Sequence, residues 1–91
     1  MYMQPLISQE RILELAGMHL ALEASLQPDS ESNKFLMRIR CQEKQLDALL
    51  AMVNKPEPRT YSSIESAWKL SRKLGIKSFV IDNEKFAGIA A

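Results

Sequence analysis

From Asn33 to Asn54 the chain runs 22 residues, NKFLMRIRCQEKQLDALLAMVN, without a glycine or a proline. An uninterrupted run of good helix formers constrains the fold more than any other stretch. Phe35, Ile39, Leu46, Leu49 and Val53 recur at helical spacing, with Gln42 in the one polar slot of the series. That spacing sets an apolar seam along one side of a 3.6-residue helix. Leu36, Met37 and Leu50 widen the seam, and Lys34, Arg38, Arg40, Glu43, Lys44 and Asp47 are left for water. The pattern predicts one amphipathic helix over 33–54. Its seam needs cover from the segment before it, the segment after it, or a second copy, so Phe35, Ile39, Leu46, Leu49 and Val53 are the candidate interface.

Residues 1–7 read as an arm in which Tyr2 and Met3 can pack back on the body. Ser8 is a good N-cap, with Glu10 in the first turn beyond it. A helix is expected over 9–26. Ile12, Leu15, Ala16, His19, Leu22 and Leu26 sit near one face, and Leu13, Leu20 and Ala24 spread onto a second. Apolar groups over so much of the circumference call for neighbours on two sides. Gly17 inside such a helix costs about 1 kcal/mol relative to Ala, which a close crossing with another helix would offset. PDSES, residues 28–32, ends this helix, and Ser30, Ser32 or Asn33 can cap the next. The link is short, so residues 1–54 are expected to form an antiparallel helical hairpin.

KPEPRT, residues 55–60, is a proline-rich connector. Beyond it, Ser62 and Glu65 have the spacing of a capping box. A helix over 63–74 would turn Ile64, Ala67, Trp68, Ser71 and Leu74 inward, with Trp68 as the anchor. Gly75 stands where a helix end needs positive φ. SFVID is dense in β-branched and aromatic residues, KFAGIA can form a second strand after a turn at Asn83-Glu84, and RTY a short one before the helix. Residues 61–91 thus read as a β-α-β-β-like unit. The expected fold class is α+β, mostly α: a helical hairpin followed by a small helix-plus-strands unit.

The stretch 69–82, KLSRKLGIKSFVID, resembles the general helix-turn-helix pattern. Ser71, Gly75 and Ile81 take the small, turn and anchor positions, and Leu70, Leu74 and Ile76 fill apolar slots. The resemblance implies a DNA-reading helix over 78–82. The sequence departs from it at Phe79 and Val80, where polar base-reading residues belong, and at Glu84, where an apolar anchor belongs. Strand is the favoured reading there.

The formal net charge of +1 is unevenly spread. Residues 1–30 carry one base and four acids, whereas 55–77 carry six bases and two acids, a local net of +4. A basic segment is first of all the solvated side of a helix, and it can also mark an anionic partner. The candidate nucleic-acid contacts are Arg59, Lys69, Arg72, Lys73 and Lys77. No catalytic residue, cofactor or metal site is expected. The three glycines make no phosphate loop, the lone Cys41 and lone His19 make neither a zinc cluster nor a nucleophile–base pair, and Asp82 and Glu84 read as solvated turn acids. The N-terminal residues lack the pattern of a signal peptide, and no run is long enough to span a bilayer, so a cytoplasmic location without membrane contact is expected.

Ninety-one residues allow one domain with a modest core, for which dimerisation is a natural supplement. The expected function is a small, non-enzymatic protein–protein interaction module, homodimeric or docked on a larger protein. Its size suggests an accessory protein of a bacterium or its mobile elements. The alternative is a small DNA-binding regulator using the basic C-terminal helix.

Overall fold

A computed structural model describes residues 5–29 and 34–81. The expected contributions of Tyr2, Met3, Ser30, Ser32, Asn33, Asp82, Glu84 and the KFAGIA strand lie outside the described residues. The elements in chain order are β1 (Leu6–Ile7), α1 (Gln9–Gly17), β2 (Glu23–Asp29), β3 (Lys34–Cys41), β4 (Leu46–Leu50), β5 (Thr60–Tyr61), α2 (Ile64–Lys73) and β6 (Ser78–Ile81). The strands form one mixed sheet in the order β1-β4-β3-β2-β6, and β5 pairs with β3 beyond the end of β4. The β2–β3–β4 centre is antiparallel, whereas β1 runs parallel to β4 and β6 parallel to β2.

This corrects the mostly helical expectation. There is no N-terminal helical hairpin: the first expected helix stops at Gly17 and gives way to β2, and the second is largely strand. Over 34–41 the side chains alternate. Phe35, Met37, Ile39 and Cys41 face the core, while Lys34, Arg38 and Arg40 take the other face. Positions 35 and 39 fit a period of two as well as a helical one, which is how the stretch imitates an amphipathic helix. Leu20, Leu22, Ala24 and Leu26 alternate in the same way, and only α1, ending at Gly17, is helical in the first segment. A Cβ on Gly17 would meet nothing within 4 Å, so no close helix crossing explains that glycine. Pro28 does not end a helix. It lies in β2 beyond the reach of β6, which pairs only with residues 23–26, so on that side no ladder bond among the described residues is lost.

Both helices cover one face of the sheet. Ile12 and Leu15 of α1 and Ala67 of α2 share a single core with Ala24, Leu26, Met37, Ile39, Ala48 and Leu50. Tyr61, Leu74 and Ile76 belong to the same core, so residues on either side of the proline-rich connector pack together. The connector is a loop that leaves β4 and returns to the edge of β3. Met52 N–H donates to the Glu57 carbonyl at 2.8 Å and Arg59 N–H to the Leu50 carbonyl at 2.8 Å.

Local chemistry sets the helix ends. The Ser8 hydroxyl accepts from Arg11 N–H at 3.1 Å and caps α1. On α2 the cap is Ser63 rather than Ser62, accepting from Ser66 N–H at 3.2 Å. Gly75 follows α2 with φ +81°, and a Cβ there would lie 3.2 Å from Ala16 Cβ. A side chain at this position meets both left-handed strain and the end of α1, so glycine joins the two helices closely.

Candidate interaction surfaces

Three surfaces present functional groups. The first is β6, the end strand of the sheet among the described residues. β2 takes one side of it, Val80 is 41 % and Ile81 39 % exposed, and Phe79 packs against the core. By alternation Phe79 and Ile81 share the helix-covered face and Val80 takes the opposite one. Residues 78–81 are thus strand, and the second helix of a helix-turn-helix is not formed there. The opposite end of the sheet is blunted, because β1 has two residues and follows Pro5.

The second surface is the outer arc of α2. Ala67, Ser71 and Leu74 turn inward. Trp68, expected as the inward anchor, instead lies 41 % exposed on the flank, with the Arg72 guanidinium 5.1 Å above its ring. Ile64, also expected inward, is 40 % exposed. Trp68 lies about a quarter turn round the helix from the line through Ala67, Ser71 and Leu74, whereas Ile64 is near that line but is the first residue of the helix. Lys69 pairs with Glu65 at 3.0 Å, while Lys73 stands exposed with no ion-pair partner among the described residues.

The third is an open cleft of about 770 Å³ where β2 and β6 begin and β3 meets β4. Glu23, Arg40, Glu43, Asp47, Lys77 and Gln45 line it. Gln45 has φ +50°, a conformation that non-glycine residues adopt sparingly, and it closes the β3–β4 turn. The charges beside the cleft are largely engaged with one another. Arg38 grips Asp47 with two hydrogen bonds, one of 2.6 Å from Nε to Oδ1, and Arg40 lies 3.8 Å from Glu23. The Arg38 hydrogen bonds hold the Asp47 carboxyl below the usual carboxylate range, and Asp47 in turn raises the Arg38 pKa. The Glu43 carboxylate accepts from Ala21 N–H at 3.3 Å. Among the described residues no group of three or more His, Cys, Asp or Glu could hold a metal ion.

The residues expected to form one apolar interface do not share a face. Ile39 is fully buried beneath the helices, Phe35 and Leu46 are partly buried against the same core, Leu49 is 2 % exposed on the opposite face of β4, and Val53 is 76 % exposed in the connector loop. Of the basic residues, Lys69, Arg72 and Lys73 share α2. Lys77 lines the cleft and Arg59 lies 5.3 Å above the Tyr61 ring. Cys41 is buried at the end of β3, and His19 is an exposed turn residue with φ +62°. Among the described residues no helix is long and apolar enough to cross a membrane.

Tyr61 has a buried hydroxyl with no hydrogen-bond partner among the described residues, and burial pushes its pKa up to about 12. A buried orphan hydroxyl costs desolvation that a phenyl ring avoids. Tyr61→Phe is expected to keep stability or raise it by about 1 kcal/mol at neutral pH. The folded state holds this proton to higher pH than the unfolded chain. The wild type should therefore lose about 2 kcal/mol more than Tyr61→Phe as pH rises from 10 to about 12. Parallel urea titrations at neutral and alkaline pH check both statements, and identical alkaline losses in the two proteins would refute the second.

Comparison of the chain with protein-family models, with curated proteins and with solved structures gives no match.

Proposed function

We propose that this protein is a protein–protein interaction module that pairs with a second copy of itself along β6. The observation that carries the reading is the contrast between the two ends of the sheet. At one end a two-residue strand follows a proline. At the other, β6 presents four residues without a charge, two of them apolar and about two-fifths exposed. No described strand pairs with the outer side of β6, and an open edge of this kind is a template for pairing with another chain. An antiparallel pair centred on Val80 sets Phe79 of one copy opposite Ile81 of the other, on the helix-covered face. The two cores then run together through a two-fold axis.

The test is the solution mass of the purified protein and of Val80→Lys. The wild type is expected at about twice 10.3 kDa. The variant brings two lysines face to face at the axis, where like charges repel, and is expected at the monomer mass. Its unfolding free energy, extrapolated to the monomer, should stay within about 0.5 kcal/mol of the wild type. A wild type that stays monomeric at high protein concentration, or a Val80→Lys that stays dimeric, refutes the proposal.

A further inference from the structure

We infer that the outer arc of α2 binds single-stranded nucleic acid, with Lys69, Arg72 and Lys73 on the phosphates and Trp68 as the stacking platform. The four side chains, all exposed, run round α2 from Trp68 on the flank through Arg72 to Lys69 and Lys73 on the outer side, with Glu65 of the preceding turn between Arg72 and Lys69. The charge balance is one-sided. Glu65 is the only acid in α2; it stands in the first turn and, among the described residues, pairs with Lys69. Arg72 has no ion-pair partner among the described residues and lies over the Trp68 ring.

A helix C-terminus favours cations, which accounts for Arg72 and Lys73 in the last turn. It does not account for an indole left two-fifths exposed beside them. An aromatic ring next to a row of cations is the pairing that single strands use, because bases stack while phosphates meet the charges. A protein partner would also suit Trp and Arg, but lysines are depleted where protein interfaces are driest. Two of the four residues here are lysines. No second helix follows to enter a major groove, since residues 78–81 are strand, which favours the single strand over the duplex.

Trp68 is the only tryptophan of the chain, so its fluorescence reports contact at the site directly. The experiment titrates the full chain with an oligothymidylate and with a random duplex, at about 50 and 200 mM salt. Expected is a saturable quench by the single strand that weakens roughly 20-fold between the two salts, from three phosphate contacts at ~0.7 counterions each. Labelled-strand anisotropy then compares variants. Lys69→Gln/Arg72→Gln/Lys73→Gln removes three charges but keeps good helix formers, and should weaken binding more than tenfold. Trp68→Ala should weaken it roughly 5- to 150-fold, the range of one lost stacking contact, while Trp68→Phe retains most of the affinity. Circular dichroism confirms that each variant is folded. The inference is overturned if the strand gives no quench at low salt, if the triple variant binds within twofold of the wild type, or if the duplex binds as tightly as the strand and Trp68→Ala binds like the wild type.

Discussion

Ile39→Asp is expected to unfold the protein, and Val53→Asp to leave its stability unchanged. A helical seam would place the two positions on one surface and make them respond alike. In the sheet they are unrelated. Ile39 is fully buried at the centre of β3, opposite Ala24 on one side and Ala48 on the other. Two alanines make room for its branched side chain, and α1 and α2 close over it. A carboxylate there has no partner, must be protonated or bring water with it, and also leaves part of the isoleucine volume empty. Losses of this kind exceed about 4 kcal/mol. A domain of this length has about 5–14 kcal/mol in all, so little native protein should survive at physiological temperature. Val53, 76 % exposed in the connector loop, touches none of this, and its variant should stay within about 0.5 kcal/mol of the wild type. Thermal melts followed by circular dichroism decide the matter. A cooperative, wild-type-like melt for Ile39→Asp would contradict the placement of β3 at the sheet centre.

The contrast between those two residues also explains what the sequence hides. Where a local signal decides the structure, it is readable. The Ser8 cap, the positive φ at Gly75, the interruption at Pro56 and Pro58, and the strand after α2 all follow from single residues or short patterns. The centre of the sheet does not. Phe35 and Ile39 satisfy a helical and a strand period together, and Leu36 blurs the alternation that would have told them apart. β3 is held between β2, along seven residue pairs, and β4, along four, and such pairing on both sides overrides the helical preference of a stretch without glycine or proline. The same cause misplaced the surfaces. A helix over 33–54 would gather its apolar residues into one seam, which the sheet splits between its two faces and the loop after β4. The edge at Val80 and the outward turn of Trp68 depend on which strand lies last and how far α2 rolls on the sheet. The basic cluster of α2 was legible because charge and helical spacing are both local.

The second large effect belongs to the pair Leu26 and Met37. They stand directly opposite one another on β2 and β3, both fully buried. Leu26→Ala should cost about 2–5 kcal/mol, the transfer term plus the cavity left under the helices. Met37→Ala falls in the same range, nearer its lower end, because the flexible thioether adapts and its neighbours lean into the gap more easily. The two cavities adjoin, so the double variant should fall short of the sum by more than about 0.5 kcal/mol. Each single variant should melt at least about 8 °C below the wild type. Additivity would mean that the side chains do not share a space and that the β2–β3 register differs from the one described. The pair also ties the core to the proposed pairing. Leu26 is the β2 residue opposite Ile81, the last described position of β6. A cavity at Leu26 removes the support beneath that edge, whereas one at Met37 lies a strand further in. At a temperature where both variants are still folded, Leu26→Ala is therefore expected to weaken self-association more than Met37→Ala does. Equal dimer dissociation constants for the two would place the association surface somewhere other than β6.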